Sequence, residues 1–502
     1  MNDLRYALRS LRNSPGFTAT AVLILALGIG ANASVFGIVD TLLFRPPAHV
    51  RDPGTVKRVY FRETGPSGDR TTPIMSFPVY QDFVEHARSI THLAAMSVRE
   101  VSVAAGPGEA RPAEGLLVTH TYFPLLGVAP AMGRFFGPEE DQPGVEPVVV
   151  LSHAFWRREF ASEPSAVGTP LRIGADLYTV IGVAPEGFMG IDLQTVDLWL
   201  PMRRANAAAL ANRNSSWLRM ITRLPPGQSA EVAALELTQV FRGVSRGAPA
   251  FGFDSTATVV LGPLHHARGP TPSQEAKVSV WLGAVAVLLL LIVCANVANL
   301  LLAHATSRRH DIAVRIALGA GRSRVLRQVL VQTLVLALAG GVAALLVAVW
   351  TTPVLQALLL RDVPAAGGGL DLRVLVFTVA VALLAGAIAG IVPAVQASRP
   401  NVVATLKSET RGESPRARTR TALVVVQVAL TLVLLAGAGL FIRSVRNIRG
   451  DLGFTADKVI VGTMDDLRRS GRPRAAIDDL YLRMVERLGR LPGVERVAAA
   501  IG

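Results

Sequence analysis

Residues 278–303, VSVWLGAVAVLLLLIVCANVANLLLA, decide the fold. The stretch holds no Asp, Glu, Lys or Arg, and residues 285–293 are apolar without a break. A helix rises about 1.5 Å per residue, so crossing a hydrocarbon core of roughly 30 Å takes about 20 apolar residues. This stretch is long enough to cross. Working outward, residues 17–39, 328–350, 374–397 and 421–442 are also free of charge and of similar length. The sequence therefore predicts five membrane spans, arranged one, then three, then one.

Composition agrees. The chain has 502 residues, half of them hydrophobic and only 18% charged, with a mean hydropathy of +0.40. It carries 51 Lys+Arg against 37 Asp+Glu, a formal net charge of +14. A disordered chain is not half apolar, and a disulfide-stapled module does not have Cys294 as its only thiol. A nucleic-acid-binding protein can be this basic but is not ordinarily this apolar. The combination predicts a polytopic membrane protein whose basic residues lie on one side of the bilayer.

Their placement gives the orientation. Segment 1–16 has Arg5, Arg9 and Arg12 against Asp3. Segment 304–327 has Arg308, Arg309, Arg315, Arg322, Arg324 and Arg327 against Asp311, and segment 398–420 is basic too. The alternate segments 40–277 and 351–373 are nearly balanced. The positive-inside rule puts the N-terminus and the basic segments in the cytoplasm, and the long segment outside the membrane. Segment 443–502 then also lies outside, although Arg443, Arg446 and Arg449 run against the bias. In segment 1–16, Leu4, Leu8 and Leu11 share one helical stripe beside the arginine stripe, and Ser14-Pro15-Gly16 breaks the helix. That pattern predicts an interfacial helix on the lipid bilayer. The competing reading is a signal peptide cut near Ala31-Asn32-Ala33, but the apolar stretch continues past that site.

Segment 40–277 is long enough for a substantial α+β domain. Ser76-Phe77-Pro78 predicts a helix start, with Tyr80, Phe83, Val84 and Ala87 following at helical spacing. Val148–Leu151 predicts a buried strand. Residues 171–173 and 178–183 predict a hairpin around 174–176. Ser229 is placed to cap a helix over 230–244.

No catalytic, metal-ligating or cofactor-binding residues are assigned. Lys57, Lys277, Lys407 and Lys458 never follow a glycine, so the phosphate-binding Gly-Lys pair of a Walker A loop is missing. No His is followed by Glu, and one cysteine makes no thiolate cluster. The spans as drawn contain no ionisable residue, which argues against an ion-coupled carrier. Asn296 and Asn299 are placed for interhelical hydrogen bonds, and Gly386 and Gly390 for close helix packing.

Segment 304–327 is the most informative connection. Ile312 and Ile316 lie one turn apart, with Asp311 and Arg315 spaced as an i,i+4 pair. Gly319 and Gly321 end the helix. A short amphipathic helix at a cytoplasmic mouth sits on lipid phosphates or docks a partner. The run 311–320, DIAVRIALGA, resembles the corresponding motif of the FtsX-like/MacB-like permeases of ABC transporters, with Asp311 where that family more often has Glu. Pro393-Ala394 through Ala397, Pro400, Ala404 and Leu406 resemble its second motif. Leu125 through Pro130, Gly133 through Phe136 and residues 148–156 resemble the MacB-type periplasmic core domain.

The resemblance implies a permease subunit that is not an enzyme. A separate cytoplasmic ABC ATPase would contact Asp311, Ile312, Arg315, Ile316, Gly319 and Gly321, and its ATP hydrolysis would move the outer domain for export or mechanotransmission. It also implies a homodimer, or a pseudo-dimer through a repeat, and allows an extracytoplasmic adaptor. No nucleic-acid partner is expected. The C-terminal part resembles a second beginning: Arg416, Arg418 and Arg420 precede the fifth span, 454–461 is comparable to 52–61, and 476–491 predicts a helix with a strand starting over 492–498. The expectation is one complete unit and the opening of a second domain, 443–502, cut short; the other reading is a five-span protein with a small outer tail. Outside the ABC reading stands a membrane-anchored scaffold or sensor with no transport cycle. The substrate is not legible.

Overall fold

The computed structural model describes residues 2–65, 68–90, 92–104, 110–142, 144–192, 194–205, 207–245, 257–265, 269–271, 274–307, 322–359, 371–398, 415–450 and 474–498. The chain divides into two units, Met1–Arg45 with Ser273–Asp457, and Pro46–Pro272 with Lys458–Gly502.

The first unit is helical. It begins with α1 (Asn2–Arg12) and α2 (Pro15–Leu43). The second unit holds strands β1 (Val56–Gly65), β2 (Gly68–Thr72), β3 (Ile74–Met75), β4 (His92–Ala104), β5 (Arg111–Val118), β6 (Met132–Gly133), β7 (Val148–Leu151), β8 (Pro170–Ile173), β9 (Asp176–Val183), β10 (Leu198–Pro201), β11 (Leu218–Arg223) and β12 (Thr258–Pro263). Its helices are α3 (Phe77–His86), α4 (Tyr122–Leu126), α5 (His153–Glu159), α6 (Ala207–Ala211) and α7 (Ala230–Ser245). The first unit resumes with α8 (Gln274–Ser307), α9 (Arg322–Leu359), α10 (Leu372–Ser398) and α11 (Pro415–Gly450). Helix α12 (Arg474–Gly489) follows.

The sheet runs β12-β1-β11-β4-β5-β10-β7-β9-β6, and β8 bridges β4 and β9. The pairings β4–β5–β10–β7–β9–β8–β4 therefore close a ring of six strands. One edge of β4 pairs with β5 from Met96 to Val103; its other edge pairs with β11 over His92–Met96 and closes the ring on β8 at Val103 and Ala104. Side chains alternate between two cores, as a period of two requires. Leu117, Leu198, Val149 and Met220 face one, with α3 and α7. Leu116, Trp199, Val150 and Ile221 face the other, with α4. A sheet covered on both faces reads as unbroken apolar runs, which is why Val148–Leu151 is buried at every position. Phe123 stacks on Phe135 at 3.7 Å and meets Trp199 edge-on at 5.7 Å.

The second core also encloses a cation. Arg58 is 2% exposed. It donates to Leu264 O and Asp192, and to Ile191 O at 3.3 Å, while Arg219 holds the other Asp192 oxygen at 2.9 Å. A buried guanidinium is tolerated because its donors are satisfied and its charge is paired. Burial pushes the nearby Tyr122 hydroxyl well above the usual tyrosine range, with Asp192 adding to the rise and Arg58 opposing it.

The expected hairpin forms as β8–β9, and Ser229 Oγ accepts from Val232 N at 3.3 Å at the start of α7. The expected helix forms as α3, with Phe77, Val79, Tyr80 and Phe83 facing inward and Val84 exposed. One local expectation needs correction. Residues 494–498 are in neither helix nor strand; Gly493, at φ +90°, turns the chain beyond α12, and no strand among the described residues pairs with them.

Among the described residues, five helices are long and apolar enough to cross a membrane: Pro15–Thr41, Ala276–His304, Leu326–Leu355, Leu372–Ile391 and Thr421–Ser444. Helices α2, α8, α9 and α10 share one core, built from Leu25, Ile29, Val293, Val297, Leu336, Ala344, Ala382 and Ala385.

Candidate functional site

Asp311, Ile312, Arg315, Ile316, Gly319 and Gly321 lie outside the described residues. The helices that hold their segment are described: α8 ends at Ser307 and α9 begins at Arg322.

The interior of the bundle is built on glycine. A Cβ at Gly28 of α2 would collide with Val293 of α8. At Gly30 it would come within 2.9 Å of Val347 in α9. At Gly340 of α9 it would come within 2.5 Å of Leu25 Cβ. Gly386 of α10 lies against Ala337, 2.7 Å from the atom a Cβ would occupy, and Gly390 lies against Thr333 Oγ1 at 2.5 Å. Small residues let backbones approach and gain dispersion contact, the main attraction available where lipid is as apolar as the side chains. Helix α2 is thus gripped from two sides through residues only two positions apart.

Polar groups add register. Ser34 Oγ is 2.7 Å from Thr351 Oγ1 and also accepts from Thr352 Oγ1 at 3.3 Å, joining α2 to α9. Asn299 Nδ2 donates to Gln427 Oε1 at 3.5 Å, joining α8 to α11; Asn296 sits one turn earlier, half-buried.

The outer end of the bundle holds a pair of crossed ion pairs. Asp40, in the last turn of α2, is 5% exposed and meets Arg373 of α10 at 3.3 Å. Arg45, just past α2, meets Asp371 at 2.6 Å. Asp371 also accepts from Arg373 N at 3.2 Å, at the start of α10. That backbone N–H bond, then Arg45, hold the Asp371 carboxyl below the usual carboxylate range. Phe36 and Phe377 stack between the same two helices at 4.0 Å. At the inner end Asp3 of α1 meets Arg327 of α9 at 2.7 Å. There Phe17 of α2 stacks on His304 of α8 at 4.3 Å.

Helix α2 continues beyond the expected end of the first span. Ending that span at residue 39 leaves every span without an ionisable group. Helix α2 runs on to Leu43, so a buried carboxylate belongs to its outer end. The balanced charges of 351–373 looked like a neutral loop, whereas Asp371 and Arg373 are spent on pairs with Arg45 and Asp40. The available signal was an aspartate closing one span and an Asp-x-Arg opening another.

Two family models match. The MacB-like periplasmic core domain covers residues 18–240, and the FtsX-like permease C-terminal covers residues 283–402. The chain belongs to the FtsX/MacB-like family of ABC permeases. It is a multi-pass membrane protein with a periplasmic-core-type domain inserted between α2 and α8. It is similar to the macrolide export ATP-binding/permease protein MacB of Hahella chejuensis, 26% identical over 293 residues, covering 58% of this chain and 42% of that protein. It is also similar to the pyoverdine export ATP-binding/permease protein PvdT of Pseudomonas syringae pv. syringae, 26% identical over 291 residues, with the same coverage. The chain spans about two-fifths of the length of these curated relatives. Among solved structures, the periplasmic region of MacB from Actinobacillus actinomycetemcomitans aligns at 16% identity and TM-score 0.33, covering 44% of this chain and 93% of that one.

Proposed function

We propose that this permease chain couples ATP hydrolysis by a separate cytoplasmic ABC ATPase to movement of its outer unit. In this reading the chain itself is not an enzyme. Its N-terminus is cytoplasmic, and the ATPase docks on Asp311, Ile312, Arg315, Ile316, Gly319 and Gly321. The observation that carries the proposal is how the outer unit is tethered. Its chain enters from α2 and leaves into α8, two helices that share one core and meet at Gly28 and Val293. Segment 304–327 follows the α8 span in sequence. A push there therefore acts on one of the two tethers directly and on the other through the glycine contact.

The crossed pairs Asp40–Arg373 and Arg45–Asp371 make α2 and α10 move together at the outer end. A pseudo-dimer is supported by α11. Its Gly437-Ala438-Gly439 has the spacing of Gly28-Ile29-Gly30 in α2, yet a Cβ at Gly437 or Gly439 would meet nothing within 4 Å. Helix α11 thus offers the surface that α2 has already filled. The relatives' printed roles, macrolide and pyoverdine export, support export as the class of work. An adaptor outside the membrane would receive the movement.

The test is co-purification of the full chain with an ABC ATPase from its source, followed by ATP turnover. Stimulated turnover supports the assignment. Consistent absence of any such ATPase favours a scaffold or sensor instead.

A further inference from the structure

Helix α1 has a free face that the bundle does not use. Ala7, Ser10 and Leu11 are buried, and the helix packs on α9 and α2. Flanking that buried face, Leu4 and Leu8 are 50% and 53% exposed. Arg5, Arg9 and Arg12 are exposed beside them. At 100° per residue the two leucines form one strip and the three arginines the next, so the free face is half apolar and half cationic. None of these arginines has an acidic partner among the described residues. An apolar strip edged with guanidinium groups, beside a bundle of membrane-spanning helices, fits one occupant. Leucines enter the acyl boundary while arginines bind phosphate oxygens.

The helix is also firmly attached. Thr18 Oγ1 donates to Leu11 O at 2.8 Å and to Ser14 O at 3.0 Å, which fixes the elbow between α1 and α2. Asp3 holds Arg327, in the first turns of α9, directly after segment 308–321.

We propose that the free face of α1 docks on anionic phospholipid headgroups, and that the Asp3–Arg327 tie passes this docking to the first turns of α9. Lipid composition then sets how firmly the inner end of α9 is held. The consequence for ATP turnover rests on the coupling function proposed above, but docking and transmission do not.

The experiment reads neither ATPase nor turnover, so its failure and that of the coupling assignment are separable. The full chain is placed in nanodiscs of phosphatidylcholine, alone or mixed with phosphatidylglycerol. A nitroxide at Leu8→Cys, in a Cys294→Ala background, reports immersion through its accessibility to oxygen. Amide exchange reports the first turns of α9. Each arginine near an anionic surface favours it by about fivefold, so three give roughly a hundredfold preference.

Phosphatidylglycerol is expected to immerse position 8 and to slow exchange in α9, with high salt weakening both effects. Combined Arg5→Gln, Arg9→Gln and Arg12→Gln should abolish both. Asp3→Asn should keep the immersion and lose the slowed exchange. Equal immersion in the two lipids, or an unchanged response in the triple variant, would overturn the docking. Protection of position 8 that appears in phosphatidylcholine only on adding an ATPase would make α1 a protein-docking helix instead. Slowed exchange that survives Asp3→Asn would overturn the transmission.

Discussion

Asp40 and Gly28 are the two residues on which the bundle's behaviour turns. Asp40 is a carboxylate buried at the outer end of a membrane helix, answered by Arg373. Arg373 is half exposed, so the pair is screened, and a double-mutant cycle of Asp40→Asn with Arg373→Gln should give a coupling of about 0.5–1 kcal/mol. Denaturant unfolding of the detergent-purified chain measures it; purely additive single variants would show that the pair does not act. The companion pair is pH-sensitive. The Asp371 carboxyl is depressed, so its contribution is full above the ordinary carboxylate range and disappears as pH falls through the lowered value. The stability gap between wild type and Asp371→Asn should close on acidification. A gap that stays constant with pH would count against this assignment. Gly28 differs in kind. Gly28→Ala forces a Cβ into Val293 and should cost about 1–3 kcal/mol, whereas Gly437→Ala meets open space and should fall within about 0.5 kcal/mol of wild type. Equal costs at the two glycines would remove the distinction between a filled and an open helix face.

At the scale of elements, the sequence was informative wherever the physics is local. Spans need only a long apolar run, so α2, α8, α9, α10 and α11 were all legible, and only their ends moved. The β8–β9 hairpin was legible because its turn residues, Gly174-Ala175, lie between its strands. Helix α7 was legible because Ser229 stands directly before it. The crossed outer ion pairs were not legible, because they join positions 326 and 333 apart in the chain. The closed ring of strands was equally hidden, since one edge of β4 pairs with two different neighbours, β11 and β8. In α3, likewise, helical spacing marks a stripe, but only packing shows that Val84 faces out. Gly386 and Gly390 were found from the four-residue spacing of small residues. Gly28 and Gly30 were not legible, because two residues apart they lie on different helix faces and only packing shows that each meets its own neighbour.

In the whole molecule, a glycine-packed bundle with ion pairs at both ends is continuous in chain, through α2 and α8, with the inserted domain. Under the proposed coupling, movement of that domain follows from a force on segment 304–327. The most direct measurement is ATP turnover by the co-purified ATPase with wild-type chain and with Arg315→Glu. Reversing that charge should abolish stimulation while the thermal unfolding of the chain stays unchanged. Full stimulation by a folded Arg315→Glu chain would contradict the coupling assignment.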